Sequence, residues 1–285
     1  MIATRAETPR ISVVMTVYNG ERYISDAIES IQQQSLRDFE LIVVNDGSTD
    51  QTTGILAALD DPRVHVIQRP HVGRVPALNE ALSRCRAPYV ANLDADDVAL
   101  PGRLEWTTEF LDAHPDTVAI GSGWEPYVQS PSRAPRRLPR SDRAIRWSFL
   151  LRNPMFNSSV TYRTDALRAI GGFSMAYADR LHDADAVLRI ASHGRLRNLD
   201  QALSARRLHE LQHFARVDAG RRAALHAQMR WRAASLLGFP PYLRPLAYTV
   251  ATVAATRSLF VIGVLGRNGR VDRRRAVRPA PAEAR

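Results

Sequence analysis

The chain has 285 residues, 45% of them apolar, and a formal net charge of +10, enough for one large α/β domain with a full core plus an appendage. All its basic residues are arginines, and the excess gathers in two clusters: Arg133, Arg136, Arg137, Arg140 and Arg143, then Arg267, Arg270, Arg273, Arg274, Arg275 and Arg278. Such clusters suit anionic lipid, phosphorylated substrates or nucleic acid, but no helix-turn-helix, RNA-recognition or zinc-finger pattern supports the last, and the lone Cys85 rules out an internal disulfide framework.

Ile11 to Val17 is a β-branched run that predicts a buried strand, broken at Gly20. Ile24, Ala27, Ile28 and Ile31 repeat at helical spacing and predict a helix to about Gln34. Phe39 to Val44 predicts a second strand, and Ser48, Thr49 and Asp50 are capping residues for a helix to about Leu59. A third strand is expected at Val64 to Gln68 and a helix from Ala77 to Arg84, opened by Pro76. Tyr89 to Leu93 reads as the fourth strand, and Pro101 opens a helix to about Ala113. Strand and helix alternate throughout, which means a parallel sheet with helices on both faces and ligand at the carboxyl ends of the strands. Tyr18-Asn19-Gly20, Asn45 to Asp50 and Asp94 to Asp97 are the polar loops at those ends.

The second half is more mixed. Ser130 to Arg140 reads as a Pro- and Arg-rich loop, Ser158 to Arg163 as a strand, and Thr164 as the cap of a short helix stopped by Gly171-Gly172. Asp183 to Ser192 and about Ala215 to Leu237 are expected to be helical. Leu246 to Leu265 approaches bilayer-spanning length, but Arg257 at its centre would be costly there. It is either a helix lying on an anionic membrane surface, anchored by the arginines that follow, or a helical pair packed on the domain. Ala276 to Arg285 is expected to be disordered.

Asp94, Asp96 and Asp97 follow directly on an apolar strand. Carboxylates that close repel unless a cation sits among them, and hard oxygen ligands suit Mg²⁺ or Mn²⁺ bound with a substrate's phosphates. A solvated acidic turn is the alternative. No P-loop, Gly-x-Gly-x-x-Gly turn, Gly-x-Ser-x-Gly elbow or zinc spacing occurs.

The order Ser12 to Gly20, Phe39 to Asp50 and Leu93 to Asp97, followed by Asn153-Pro154, Ser158-Ser159-Val160, Gly171-Gly172-Phe173, Asp183 to Arg189 and Arg207-Leu208-His209, resembles family 2 inverting glycosyltransferases over about residues 9 to 210. The resemblance implies an α/β GT-A fold: a Rossmann-like, mostly parallel central sheet flanked by helices, here with a C-terminal helical appendage. Residues 1–214 would form the transferase domain, with a donor half at about 9–123 and an acceptor half at about 124–214. Residues 215–285 would be the helical, basic tail.

By the same resemblance, Thr16 and Tyr18 line the base and ribose pocket of a nucleotide-diphospho-sugar, Asp46 accepts from the base, and Arg74 binds the diphosphate. Asp94 and Asp96 complete the donor site. Asp96, Asp97 and His209 ligate Mn²⁺ or Mg²⁺, and Asp183 is the general base. For each residue a structural alternative stands: turn former for Asp46, solvated loop residue for Arg74, helix cap or first-turn acid for Asp183. The implied donor is a UDP-sugar, and the implied acceptor a cell-envelope or lipid-linked glycan. The single cysteine and the lack of an apolar signal segment in Met1 to Arg10 lead to the expectation of a cytoplasmic location, with contact at the inner membrane face if the tail binds lipid.

The sequence departs from the family at three places. Asn45 stands where Asp is often found, Asn157 where His is common, and His182-Asp183 where Glu-Asp is common. His182 is expected to be solvated and Asp185 structural or acceptor-facing. Trp124, Trp147, Phe149 and Phe156 could stack on acceptor sugars or fill the core. Two other classes of protein compete with this reading. A binding scaffold of the same fold would tolerate loss of Asp183 and the acidic triplet, yet both are present. A nucleotidyltransferase would open with a Gly-rich loop, which Val17-Tyr18-Asn19-Gly20 is not.

Overall fold

The computed structural model describes residues 8–127, 135–177, 181–207, 219–238, 240–242, 244, 245 and 249. Leu246 to Leu265, apart from residue 249, the second arginine cluster and His209 lie outside them. Among the described residues no helix is long and apolar enough to cross a membrane.

The strands are β1 (Ile11–Val17), β2 (Phe39–Asp46), β3 (Val64–Arg69), β4 (Tyr89–Asn92), β5 (Val98–Ala99), β6 (Thr117–Pro126), β7 (Thr161–Arg163) and β8 (Arg195–Arg206). The helices are α1 (Ile24–Gln32), α2 (Thr52–Ala57), α3 (Arg74–Arg84), α4 (Arg103–Ala113), α5 (Asp142–Ser148), α6 (Thr164–Ala169), α7 (His182–Ile190) and α8 (Ala219–Leu236). One sheet of order β3-β2-β1-β4-β7-β6-β8-β5 carries all the strands.

The first four strands pair in parallel. The largely apolar runs of β1, β2 and β4 reflect burial on both faces, whereas β3, at the sheet edge, is only partly buried. Val13 and Met15 of β1 pack with Ile24, Ile28 and Ile31 of α1 and Leu104 and Leu111 of α4. Val14 packs on the opposite face with Val75, Leu78 and Leu82 of α3. The chain runs outward from β1 to β3 and returns to place β4 on the other side of β1. This reversal leaves a crevice at the carboxyl ends of β1 and β4, where such sheets bind ligands.

Beyond β4 the sheet is mixed, within the mostly parallel sheet expected. β7 runs antiparallel to both β4 and β6, while β6 and β8 are parallel. Ser158 and Ser159 belong to a 3₁₀ turn at Asn157–Ser159, so the strand expected from Ser158 begins at Thr161. Thr164 does not cap α6: it is that helix's first residue, and its hydroxyl donates to the Ala87 carbonyl at 2.7 Å. Asp50 does meet α2, accepting from the Thr52 amide at 3.0 Å.

α8 packs into the same core as β7 and α7 through Met229 and Ala233. A polar clamp fastens it. Asp185, fully buried on α7, accepts from Arg189 at 2.7 Å and from Arg232 of α8 at 2.6 Å. Arg189 also donates to the carbonyls of Ile170 and Gly172, so Asp185 has the structural role allowed for it. His182 is buried, edge-on to Phe173, rather than solvated: α7 turns it inward with Ala186 and Ile190.

Candidate active site

The crevice is organised from its loops. Asn19, at φ +53, donates its amide to Ser48 at 2.9 Å and accepts the Thr49 amide at 2.8 Å, which locks the β1 loop to the β2 loop. Asp46 ends β2. Its carboxylate accepts the amides of Val72 and Gly73 at 3.0 and 2.9 Å, and His71 Nδ1 lies 2.9 Å away. Gly47, at φ +73, permits this approach, since a Cβ there would come within 2.5 Å of the His71 backbone nitrogen. Tyr18 stacks on the His71 ring at 4.1 Å between centroids. Thr16 is the one partly exposed residue of β1, close in sequence to Tyr18. Tyr18 and Asp46 thus meet through His71, a residue the sequence reading did not single out.

Holding residues 71–73 on Asp46 fixes the start of α3, where Arg74 forms an ion pair with Asp94. Burial pulls the Arg74 pKa down, and the charges of Asp96, Asp183 and Asp97 push it back up. The acidic loop follows β4. One carboxylate oxygen from each of Asp94, Asp96 and Asp97 falls within 4.8 Å of the others, close enough to share one cation. Asp94 accepts from Asn157 at 2.9 Å, and Asn157 accepts in turn from Asn92 at 3.1 Å. Asp97 is buried, accepting from the Ser158 hydroxyl and from the Arg207 amide at 3.0 Å. Burial and the neighbouring Asp96 push the Asp97 pKa up to about 7. Three hard oxygen donors, one of them forced toward protonation, fit a divalent cation of the Mg²⁺ or Mn²⁺ type.

Arg103, the first residue of α4, is fully buried. It donates to the Asn92 carbonyl at 2.5 Å, while Nε and Nη1 have no partner among the described residues. Burial lowers its pKa to about 9, and the charge of Asp97 acts against that shift.

Asp183 lies in the first turn of α7. It accepts from Asn153 at 2.8 Å. Burial raises its pKa above the ordinary carboxylate value, opposed by the Ala184 amide, Arg74 and Asn153. The preceding Leu181 adopts the left-handed region at φ +60. Segment 153–158 therefore spans the site, with Asn153 on Asp183, Asn157 on Asp94 and Ser158 on Asp97. Sequence reading noted these residues as pieces of a pattern and gave them no partners. Nothing local signals contacts that span 30 to 63 positions.

The curled α/β sheet flanked by helices, with the acids at its switch point, is the GT-A fold of glycosyltransferases. The glycosyl transferase family 2 pattern matches residues 12–176, and the chain belongs to that family and is a glycosyltransferase. It is 34% identical over 201 residues to EpsE of Bacillus subtilis, which carries a glycosyltransferase name, covering 68% of this chain and 72% of that one. It is 30% identical over 188 residues to the amylovoran biosynthesis glycosyltransferase AmsE of Erwinia amylovora, covering 64% and 70%. Among solved structures, the fold is similar to that of Staphylococcus aureus TarS 1-349 in complex with UDP-GlcNAc, with a TM-score of 0.61 at 20% identity over 85% of this chain and 79% of that one. The mannosyltransferase PcManGT of Pyrobaculum calidifontis in complex with GDP-Man and Mn²⁺ gives 0.58 at 17% identity, over 93% and 80%.

Proposed function

We propose that this chain moves a sugar from a nucleotide diphosphate, a UDP-sugar first among candidates, to a hydroxyl of a cell-envelope or lipid-linked glycan, with inversion in a single displacement. Residues 9–123 bind the donor and 124–214 the acceptor. The observation that carries the reading is Arg74: it pairs with Asp94 and lies in the field of Asp96, Asp97 and Asp183, so one cation joins the donor loop to the carboxyl expected to act as base.

Each residue then has a task. Tyr18, Thr16 and Asp46 shape the nucleoside end. The Asp46 carboxylate is already shared among backbone amides, and its remaining lone-pair capacity is what a base N–H can use. Arg74 turns from Asp94 to the diphosphate, whose charge it partly neutralises. Asp96 and Asp97, with His209 beyond the described residues, would hold the Mn²⁺ or Mg²⁺, and Asp94 meets the ribose. When bound, the ion stabilises the leaving diphosphate as a Lewis acid. Asp183, partly desolvated and held by Asn153, takes the acceptor hydroxyl's proton as that oxygen attacks the anomeric carbon. A poised carboxylate with a raised pKa is a better base than an ordinary one.

A thermal-shift screen of UDP, GDP and dTDP and their sugars, with and without Mn²⁺, tests the donor assignment, since a ligand of the native state raises apparent stability by mass action. UDP with Mn²⁺ is expected to give the largest rise. Asp183→Asn is expected to abolish transfer while keeping the donor shift; turnover close to that of the native chain would remove Asp183 from the base role.

A further inference from the structure

The acceptor half carries an aromatic and cationic cluster beside the acids that the donor and base chemistry does not use. Trp124 of β6 and Phe156 lie tilted at 5.5 Å between centroids. Arg206, at the end of β8, places its guanidinium carbon 5.5 Å from the Trp124 ring centre and 5.9 Å from that of Phe156. The register sets Trp124 opposite Ser204 and Pro126 opposite Arg206, so the cluster spans two paired strands. All three residues are partly exposed. Phe156 sits between Asn153, which holds Asp183, and Asn157, which holds Asp94. The charge of Arg206 reaches Asp97. The cluster is therefore next to the point where an acceptor hydroxyl must arrive.

Further arginines lie beside it. Arg136 exchanges backbone hydrogen bonds with Trp124 at 2.7 and 3.1 Å. Arg136, Arg137 and Arg140 are exposed, and Asp200 is the shared carboxylate of the last two, at 3.7 and 3.3 Å. Of the other aromatic candidates, Phe149 is buried in the core and Trp147 is exposed on α5. An aromatic face offers an apolar surface to the C–H face of a sugar ring. A guanidinium beside it offers paired donors to a carboxylate or phosphate.

We infer that Trp124, Phe156 and Arg206 form an acceptor subsite for a sugar ring bearing an anionic substituent, with Arg136, Arg137 and Arg140 attracting that charge from solution. This rests on the transferase reading above and names the chemical class of its acceptor. The two sources of such an anion are a uronic-acid carboxylate and a sugar phosphate.

The test is titration of the full chain, followed by tryptophan fluorescence, with a glucuronate-terminated oligosaccharide, its neutral glucose-terminated counterpart and a sugar 1-phosphate. Either charged probe is expected to bind on the order of tenfold more tightly than the neutral one. Arg206→Gln is expected to remove that preference and Arg206→Lys to restore part of it. Phe156→Leu is expected to weaken every probe, and its melting temperature shows whether it is folded. Equal affinity for charged and neutral probes, or a preference unchanged in Arg206→Gln, would overturn the subsite. The winning charged probe separates carboxylate from phosphate. UDP titrated alongside keeps the two readings apart: failure of UDP to bind overturns the donor assignment, whereas a lost charge preference with UDP binding intact overturns only the subsite.

Discussion

At the residue scale, the proposed chemistry turns on how each carboxylate is held. The Asp183 pKa is raised by burial and lowered by the Asn153 amide, among other groups. A general base works ionised, so activity should fall as pH drops through this raised value. Asn153→Ala removes a donor that favours the charged form, so the carboxyl pKa should rise further. The acid limb of the kcat profile is then expected to move to higher pH in the variant, while the alkaline side stays in place. A kcat profile with the same acid limb in both proteins would exclude Asp183 as the titrating base. Gly47→Ala belongs to this scale too. A φ of +73 and a 2.5 Å approach to His71 leave no room for the methyl group. The expected loss is more than about 1 kcal/mol in denaturant unfolding, with weaker nucleotide binding because the loop on Asp46 must shift.

At the element scale, the helix that carries Asp183 is anchored through Asp185, which joins α7 to α8 by Arg232 and to the Gly172 carbonyl by way of Arg189. Breaking a buried, paired carboxylate leaves uncompensated charge and costs about 3–5 kcal/mol. Asp185→Asn is expected to lose stability on that scale in urea unfolding. Elements also differ in how far they could be read beforehand. The parallel strands β1, β2 and β4 announce themselves because burial on both faces demands largely apolar runs. β6 and β8 do not: Gly121, Ser122 and Gly123 interrupt one, and Arg197, Asn198, Asp200 and Gln201 give the other the look of a loop. Their pairing with each other and with β7 is a tertiary matter. The acids were legible for the same reason as β4, since they follow a strand that could be recognised. Their partners were not. Asn157 and Ser158 are ordinary residues whose relation to Asp94 and Asp97 exists only once β7 lies beside β4.

At the scale of the whole molecule, the protein folds around three neighbouring carboxyl groups that repel one another when ionised. A divalent cation at about 100 times its dissociation constant would add about 2.7 kcal/mol to the native state. For a chain of this size that is a rise of roughly 5–10 °C in melting temperature. Mn²⁺ is expected to give such a rise, reversed by EDTA together with activity; Asp96→Asn should reduce both. A native chain fully active in EDTA would remove the metal from the proposal.

Arg103 adds a further consequence. A cation with unpartnered nitrogens in a full core is a place where folding is opposed by the very side chain installed there. Its charge nevertheless acts on the buried Asp97, and removing one member of a buried charge pair leaves the other uncompensated. Arg103→Met should therefore melt at a lower temperature than the native chain and, lacking the positive charge that acts on Asp97, work more slowly. Heat tolerance and turnover would then fall together at this one position, so that a screen for stability alone would also keep the enzyme's catalytic fitness.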